Sequence, residues 1–146
     1  MDPELPKTLA EAMATEPLWL RSWIYVLVAV NLSALLFVVG KEAGRWQVRR
    51  EPIAIIVGFV AAAILMGLLY DGIGYVRLLG LAHLLCWGPV WLWILSRRRE
   101  YAWRSLFGGY LHVYLLIAGI SLVIDVIDVA RYLLGDGELL GRWAGG

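Results

Sequence analysis

Charged residues are scarce in this sequence, where they make up 17% of 146 residues. A typical soluble domain has about 25% charged and about 45–50% apolar residues. Here the hydrophobic fraction is 61% and the mean hydropathy is +0.72. Such an excess is typical of a protein whose outer surface is apolar because it faces lipid. The composition therefore excludes a soluble globular domain and predicts one membrane domain over residues 1–146.

Other absences exclude further classes of protein. The single cysteine, Cys86, excludes an intramolecular disulfide and a multi-cysteine metal or iron–sulfur site. The net charge of +1 gives no basic field for nucleic acid, so no nucleic-acid partner is predicted. No hydrolase, kinase or nucleotide-binding signature occurs. The start of the chain is acidic, whereas a secretory signal starts with positive charge, so we expect this segment to belong to the mature protein.

Four apolar segments are long enough to cross a bilayer as helices, which needs about 20 residues each. They cover residues 18–39, 53–70, 75–95 and about 108–131. Before them, Thr8 and Glu11 have the spacing of a capping box, which predicts a short surface helix over 8–16. The predicted fold is therefore all-α, an integral membrane four-helix bundle of up-and-down topology.

Small and polar residues indicate where these helices pack. Pairs of small residues four apart allow helices to approach closely, and a polar side chain within the membrane needs a partner on a neighbouring helix. In the third span Pro89 lacks an N–H and predicts a kink between Leu85 and Pro89. The predicted packing residues are Asn31, Gly58, Ala62, Ala63, Gly67 and Ser121.

The distribution of charge predicts the orientation. The connectors at 41–51 and 97–104 carry eight basic and three acidic residues, and the opposite face carries five basic and nine acidic residues. Short connectors rich in Lys and Arg remain cytoplasmic. We therefore expect the loops at 40–51 and 96–105 to be cytoplasmic, both termini to lie outside, and the membrane to be the plasma (inner) membrane.

Ionisable residues gather toward the predicted outer face. Asp125 and Asp128 are three residues apart on one helix face, which also carries Tyr114, Ala118 and Ser121. Antiparallel third and fourth spans would bring His83 to Asp125. Such groups are costly within a membrane and need partners or a purpose. The predicted intramembrane polar cluster is Asp125, Asp128, Arg131, His83, Arg77, Asp71 and Arg21.

The positions of the two histidines limit which cofactors the chain can bind. Helix rise puts His83 and His112 about 20 Å apart along neighbouring helices, so one chain cannot hold a haem between them. A metal bound by His83, Asp125 and Asp128 is chemically reasonable, although a lone intramembrane histidine is more often a packing residue. We predict no cofactor and leave a metal at this cluster undecided.

Three function classes follow from these features. The first is a cation-handling channel or transporter subunit that works as an oligomer, since two close carboxylates can bind a proton or a cation. The second is a non-enzymatic accessory or assembly subunit of a larger membrane complex, and here the cluster is a salt-bridge lock. The third is a membrane-embedded metal-dependent enzyme. We expect the chain not to be an enzyme and its partners to be the lipid bilayer and either further copies of itself or a larger complex.

Overall fold

The computed structural model describes residues 8–73 and 79–135, which are mostly helical, so the predicted all-α class is confirmed. A two-stranded antiparallel hairpin of β1 (Val39–Glu42) and β2 (Arg45–Val48) is the exception. Single 3-10 turns cover Ser33–Phe37 and Arg98–Glu100. The helices are α1 (Leu9–Ala14), α2 (Leu18–Leu32), α3 (Arg50–Ile73), α4 (Gly80–Ser96) and α5 (Leu106–Leu133).

Three of the described helical segments are long and apolar enough to cross a membrane. They are Leu18–Phe37, Arg50–Gly72 and Leu106–Leu133, with 20, 23 and 28 residues. The apolar helix α4 is shorter, with 17 residues, and most of the start of the third predicted span, residues 75–78, lies outside the described residues. The four-helix membrane bundle and the location of both termini stay predictions.

Two core clusters show how the helices run. One contains Ala34, Ile55, Ile94 and Leu111, and the other contains Leu27, Ala62, Trp87 and Leu122. From the first cluster to the second, residue numbers fall in α2 and α4 and rise in α3 and α5. Successive long helices are therefore antiparallel. We call the end that holds the hairpin and residues 97–105 the basic end, and the other end the distal end.

Large apolar side chains also cover the outside of these helices. On α3 they follow each other at intervals of three and four residues, so they form a stripe that points away from the other helices. Because α3 also has an apolar inner face, its outer stripe resembles a lipid-facing surface rather than a solvated one. The exposed members of the stripe are Ile53, Val57, Val60, Ile64 and Leu68.

The beginning of the chain follows the sequence closely. The Thr8 hydroxyl accepts a hydrogen bond from the Glu11 N–H at 3.2 Å, so the predicted cap forms at the start of α1. The first long segment differs from one continuous helix over 18–39. The α-helix ends at Leu32, and the chain continues as the 3-10 turn. At the first residue of this turn, Ser33 Oγ donates a hydrogen bond to the Ala29 carbonyl at 2.6 Å.

The hairpin differs from the prediction for 40–51, where the basic composition indicates only a connector. Its turn consists of Ala43 and Gly44, with φ values of 49° and 80°. Two successive positive φ values are typical of the tight turn that matches the twist of antiparallel strands. Glycine adopts this conformation readily, but alanine does so rarely, and Ala43-Gly44 is therefore a weak sequence signal.

The predicted packing residues divide into two groups. Gly58 and Ala62 are buried, and a Cβ atom on Gly58 would lie 3.1 Å from the Cys86 carbonyl oxygen on α4. Ala63 is exposed, and a Cβ atom on Gly67 would meet no atom within 4 Å. Ala63 and Gly67 therefore do not join helices within the described chain, because they lie on a different face of α3.

Asn31 has a different hydrogen-bond partner from the one expected. The Asn31 side-chain amide donates to the Leu27 carbonyl at 2.8 Å, so its partner lies in its own helix rather than on a neighbouring one. Asn31 is nevertheless buried, with 1% exposure. The helix α4 continues through Pro89, which is exposed, and the predicted kink stays a prediction.

We predict that Gly58→Leu weakens the contact of α3 with α4, whereas Gly72→Leu does not, because Gly72 is exposed and a Cβ atom there would meet nothing within 4 Å. At Gly58 the added side chain meets the backbone of α4, and overpacking typically costs about 1–3 kcal/mol of unfolding free energy. Thermal unfolding of the purified protein in detergent measures the difference. Equal midpoints for the two variants would contradict the close approach at Gly58.

Candidate functional site

A histidine and an aspartate meet between α4 and α5 near the distal end. His83 Nδ1 lies 2.9 Å from Asp125 Oδ2, so the contact predicted from antiparallel spans is present. The two side chains are 19% and 13% exposed. The pair is an ion pair when the imidazole is protonated and a neutral-donor hydrogen bond when Nδ1 alone carries the proton. We call it the His83–Asp125 pair.

The inner face of α5 positions the aspartate. Tyr114, Ala118, Ser121 and Asp125 are all buried, at the spacing of three and four residues that keeps side chains on one face. The predicted inward stripe is therefore correct as far as Asp125, and Asp128, three residues on, is half-buried. The Asp125 carboxylate therefore lies in largely apolar surroundings, where an isolated charge would be energetically costly.

Glycine at position 80 lets the two helices approach at the pair. A Cβ atom on Gly80 would lie 2.8 Å from Asp125 Oδ1 and 3.1 Å from its Cβ atom. Such distances are shorter than ordinary contacts, so any larger residue would displace the carboxylate. Gly80 is the first residue of α4, one turn before His83. It therefore belongs to the site, although Gly80 is not in the predicted cluster.

An aromatic side chain covers the imidazole. The Trp87 ring stacks on His83 with 4.3 Å between ring centroids. The Phe59 ring also stacks on Trp87, with 6.4 Å between centroids. Trp87 is buried, and its Nε1 has no hydrogen-bond partner among the described residues. A buried N–H without an acceptor costs about 1–3 kcal/mol, so a water or ligand acceptor would be favourable there.

The other members of the predicted cluster are placed less closely. Arg77 lies outside the described residues. Asp71 is exposed and Arg21 is half-buried, and no hydrogen bond or ion pair joins either to the His83–Asp125 pair within 8–73 and 79–135. Arg131 is exposed on the last turn of α5. The structure therefore brings His83 and Asp125 together and leaves Asp71 at the end of α3, where it faces outward.

The metal alternative requires at least three ligands at one place. Over the described parts of the chain, no three His, Cys, Asp or Glu side chains gather so that they could hold a metal ion. Asp128 does not complete a ligand set with His83 and Asp125, because it lies further along α5. The arrangement is instead a hydrogen-bonded pair of one imidazole and one carboxylate.

The basic end contains a second polar network that the sequence analysis missed. Glu51 is buried at the start of α3 and accepts hydrogen bonds from Arg97 Nη1 at 3.2 Å and from the Tyr101 hydroxyl at 3.3 Å. Burial, and next the Glu51 carboxylate, raise the pKa of Tyr101 to about 12, so the phenol keeps its proton and donates. The long sequence separation of these residues gave no local signal.

Comparisons with known protein families, with curated proteins and with solved structures find no match to this chain.

We predict opposite effects of alanine at two glycines of α4. Gly80→Ala pushes the Asp125 carboxylate from His83 and lowers the unfolding free energy by about 1–3 kcal/mol. A Cβ atom on Gly88 would meet nothing within 4 Å, so Gly88→Ala gains helix propensity worth about 0.5–1 kcal/mol. Thermal unfolding in detergent measures both. A Gly80→Ala protein as stable as the wild type would refute the close approach.

Proposed function

We propose that this chain is an integral membrane protein of the plasma (inner) membrane. Three helices of membrane-crossing length, the outward apolar stripe of α3 and a hydrophobic fraction of 61% support this proposal. The two basic connectors lie together at one end of the molecule, which supports the proposed orientation with 40–51 and 96–105 in the cytoplasm. Both termini then lie on the outer side, as does the His83–Asp125 pair.

The function we propose is cation handling at the His83–Asp125 pair, with the proton as the simplest cation. The observation that carries the proposal is the 2.9 Å contact of imidazole and carboxylate between two apolar helices. Intramembrane Asp and His residues serve as proton relays in pumps and transporters, because each can take up and release a proton. The buried Trp87 N–H, one turn from His83, is a donor that could hold a water molecule beside the pair.

Transport through this protein requires more than one copy. Four helices of this length enclose too little space for an aqueous pathway, so we propose an oligomer. Ala63 and Gly67 lie on a face of α3 that is not used within the described chain. Small residues at four-residue spacing allow close contact of membrane helices, so this face is suited to a neighbouring copy.

The transport proposal predicts a proton flux that depends on the pair. In liposomes that contain the purified protein and an internal pH dye, His83→Gln and Asp125→Asn each lower the flux by about a hundredfold, the lower end of the range typical for loss of a positioned proton-transfer group. His112→Gln is the matched control, because His112 lies near the basic end, where it is close to the Gly108 carbonyl. A flux unchanged in both pair variants, or no cation flux at all, would reject cation handling.

The second candidate is a non-enzymatic accessory or assembly subunit. The tight packing around the pair favours it, since Asp125 contacts Gly80 and His83 and is only 9% exposed. Such a pair can serve to lock α4 to α5 without any transport. The third class, a metal-dependent enzyme, has no support from the described residues, which contain no set of three metal ligands.

A double-mutant cycle tests the lock. If the pair joins α4 to α5, the unfolding free energies of His83→Gln, Asp125→Asn and the double variant give a coupling of about 1.5–3 kcal/mol, as expected for a hydrogen bond to a charged group. The measurement is equilibrium unfolding in mixed detergent. Strong coupling without any flux supports the accessory role, and coupling near zero contradicts the lock.

A further inference from the structure

A cleft of about 910 Å³ opens at the basic end, between the hairpin, the start of α3 and residues 97–108. Its inner part contains the buried residues Gly40, Glu51, Tyr101 and Gly108. The network of Glu51 with Arg97 and Tyr101 holds this part in place. The cleft is remote from the His83–Asp125 pair, which lies near the distal end, and the proposed cation handling does not use it.

Some of the basic residues that line the cleft are paired with acidic residues of the described chain, and others are not. Four basic residues and three acidic residues line it. Arg49 Nε donates to Glu42 at 3.1 Å, and Arg97 pairs with Glu100 at 2.8 Å and with Glu51. Lys41 and Arg50, in contrast, are exposed and form no ion pair among the described residues. Two cations at the opening therefore remain available for an anion.

The hairpin holds one further guanidinium against the cleft. The Arg49 carbon Cζ lies 4.2 Å from the centroid of the Phe107 ring, and its side chain is 16% exposed. A Cβ atom on Gly40 would overlap this guanidinium, so glycine makes room for it. Because Phe107 and Glu42 fix Arg49, the wall of the cleft between Lys41 and Arg50 is ordered before a ligand binds, and less conformational entropy is lost on binding.

Apolar side chains adjoin the cationic opening. Leu36 and Leu106 line the cleft and are 79% and 83% exposed. Trp46 and Trp103, at the same end, are also exposed, and tryptophans concentrate at the membrane–water boundary. A free phosphate ion would gain nothing from the leucines. An amphiphile with a charged head and an apolar tail matches both parts of the surface.

We infer that this cleft binds an anionic phospholipid of the cytoplasmic leaflet. The phosphate of the headgroup contacts Lys41 and Arg50, and the acyl chains extend along Leu36 and Leu106. The inference rests on the membrane and orientation parts of the proposed function, and it is independent of transport. It assigns the basic connectors a binding role in addition to their effect on orientation.

The test titrates the full-length protein in neutral detergent with phosphatidylglycerol and measures bound lipid by native mass spectrometry. Each cation near an anionic headgroup contributes about fivefold to the binding affinity. Lys41→Gln alone therefore lowers the affinity about fivefold, and Lys41→Gln/Arg50→Gln lowers it about thirtyfold. The matched control is Arg99→Gln/Arg104→Gln, which removes the same charge from exposed residues at the same end that do not line the cleft. It changes the affinity less than about threefold.

Three results would overturn the inference. They are equal losses in the two double variants, wild-type affinity for phosphatidylcholine equal to that for phosphatidylglycerol, and displacement of the lipid by inorganic phosphate at matched concentration, which would indicate a phosphate-ion site. Circular dichroism verifies that the variants keep their helices, and the single variant serves if the double variant does not fold. Carbonate extraction of membranes separates failure of the lipid site from failure of the membrane assignment. If the protein stays in the membrane pellet but shows no lipid preference, only the lipid site is rejected. If the protein is released from the pellet, the membrane assignment is rejected.

Discussion

The contact of His83 with Asp125 imposes the strongest constraint on this structure, because a carboxylate between apolar helices is unfavourable unless it is paired. The contact needs α4 and α5 to be antiparallel and closely spaced. Close spacing in turn needs glycine at position 80, where any side chain would meet the carboxylate. Trp87 then stacks on the imidazole. The same features would serve a lock or a proton site, which is why stability and flux have to be measured separately.

The two ends of the molecule differ in their chemistry. At the distal end the His83–Asp125 pair lies between helices, whereas the basic end has a network of Glu51, Arg97 and Tyr101 beside an open, cationic cleft. The middle is apolar on both the inside and the outside. In the proposed membrane setting, this division places the exposed cations of the basic end near the headgroups and the paired His83 and Asp125 further into the membrane.

Local sequence signals were sufficient for some elements and insufficient for others. The capping spacing of Thr8 and Glu11 and the long apolar runs predicted helices that the structure contains. The hairpin was missed because the turn at Ala43-Gly44 lacks a strong turn dipeptide, and its strands are only four residues long. Ala63 was assigned to packing because an almost wholly apolar helix does not reveal which face meets protein and which meets lipid.

The sequence by itself determined the helical class, the presence of long apolar helices and the face shared by Ser121 and Asp125, because helical periodicity and apolar length are local properties. Tertiary structure decided pairings that no local pattern indicates. Glu51 bonds to residues about fifty positions away, a pairing that depends on how the helices are arranged in space. The cleft likewise exists only because the hairpin, the start of α3 and residues 97–108 come together in space, and these segments are far apart in the sequence.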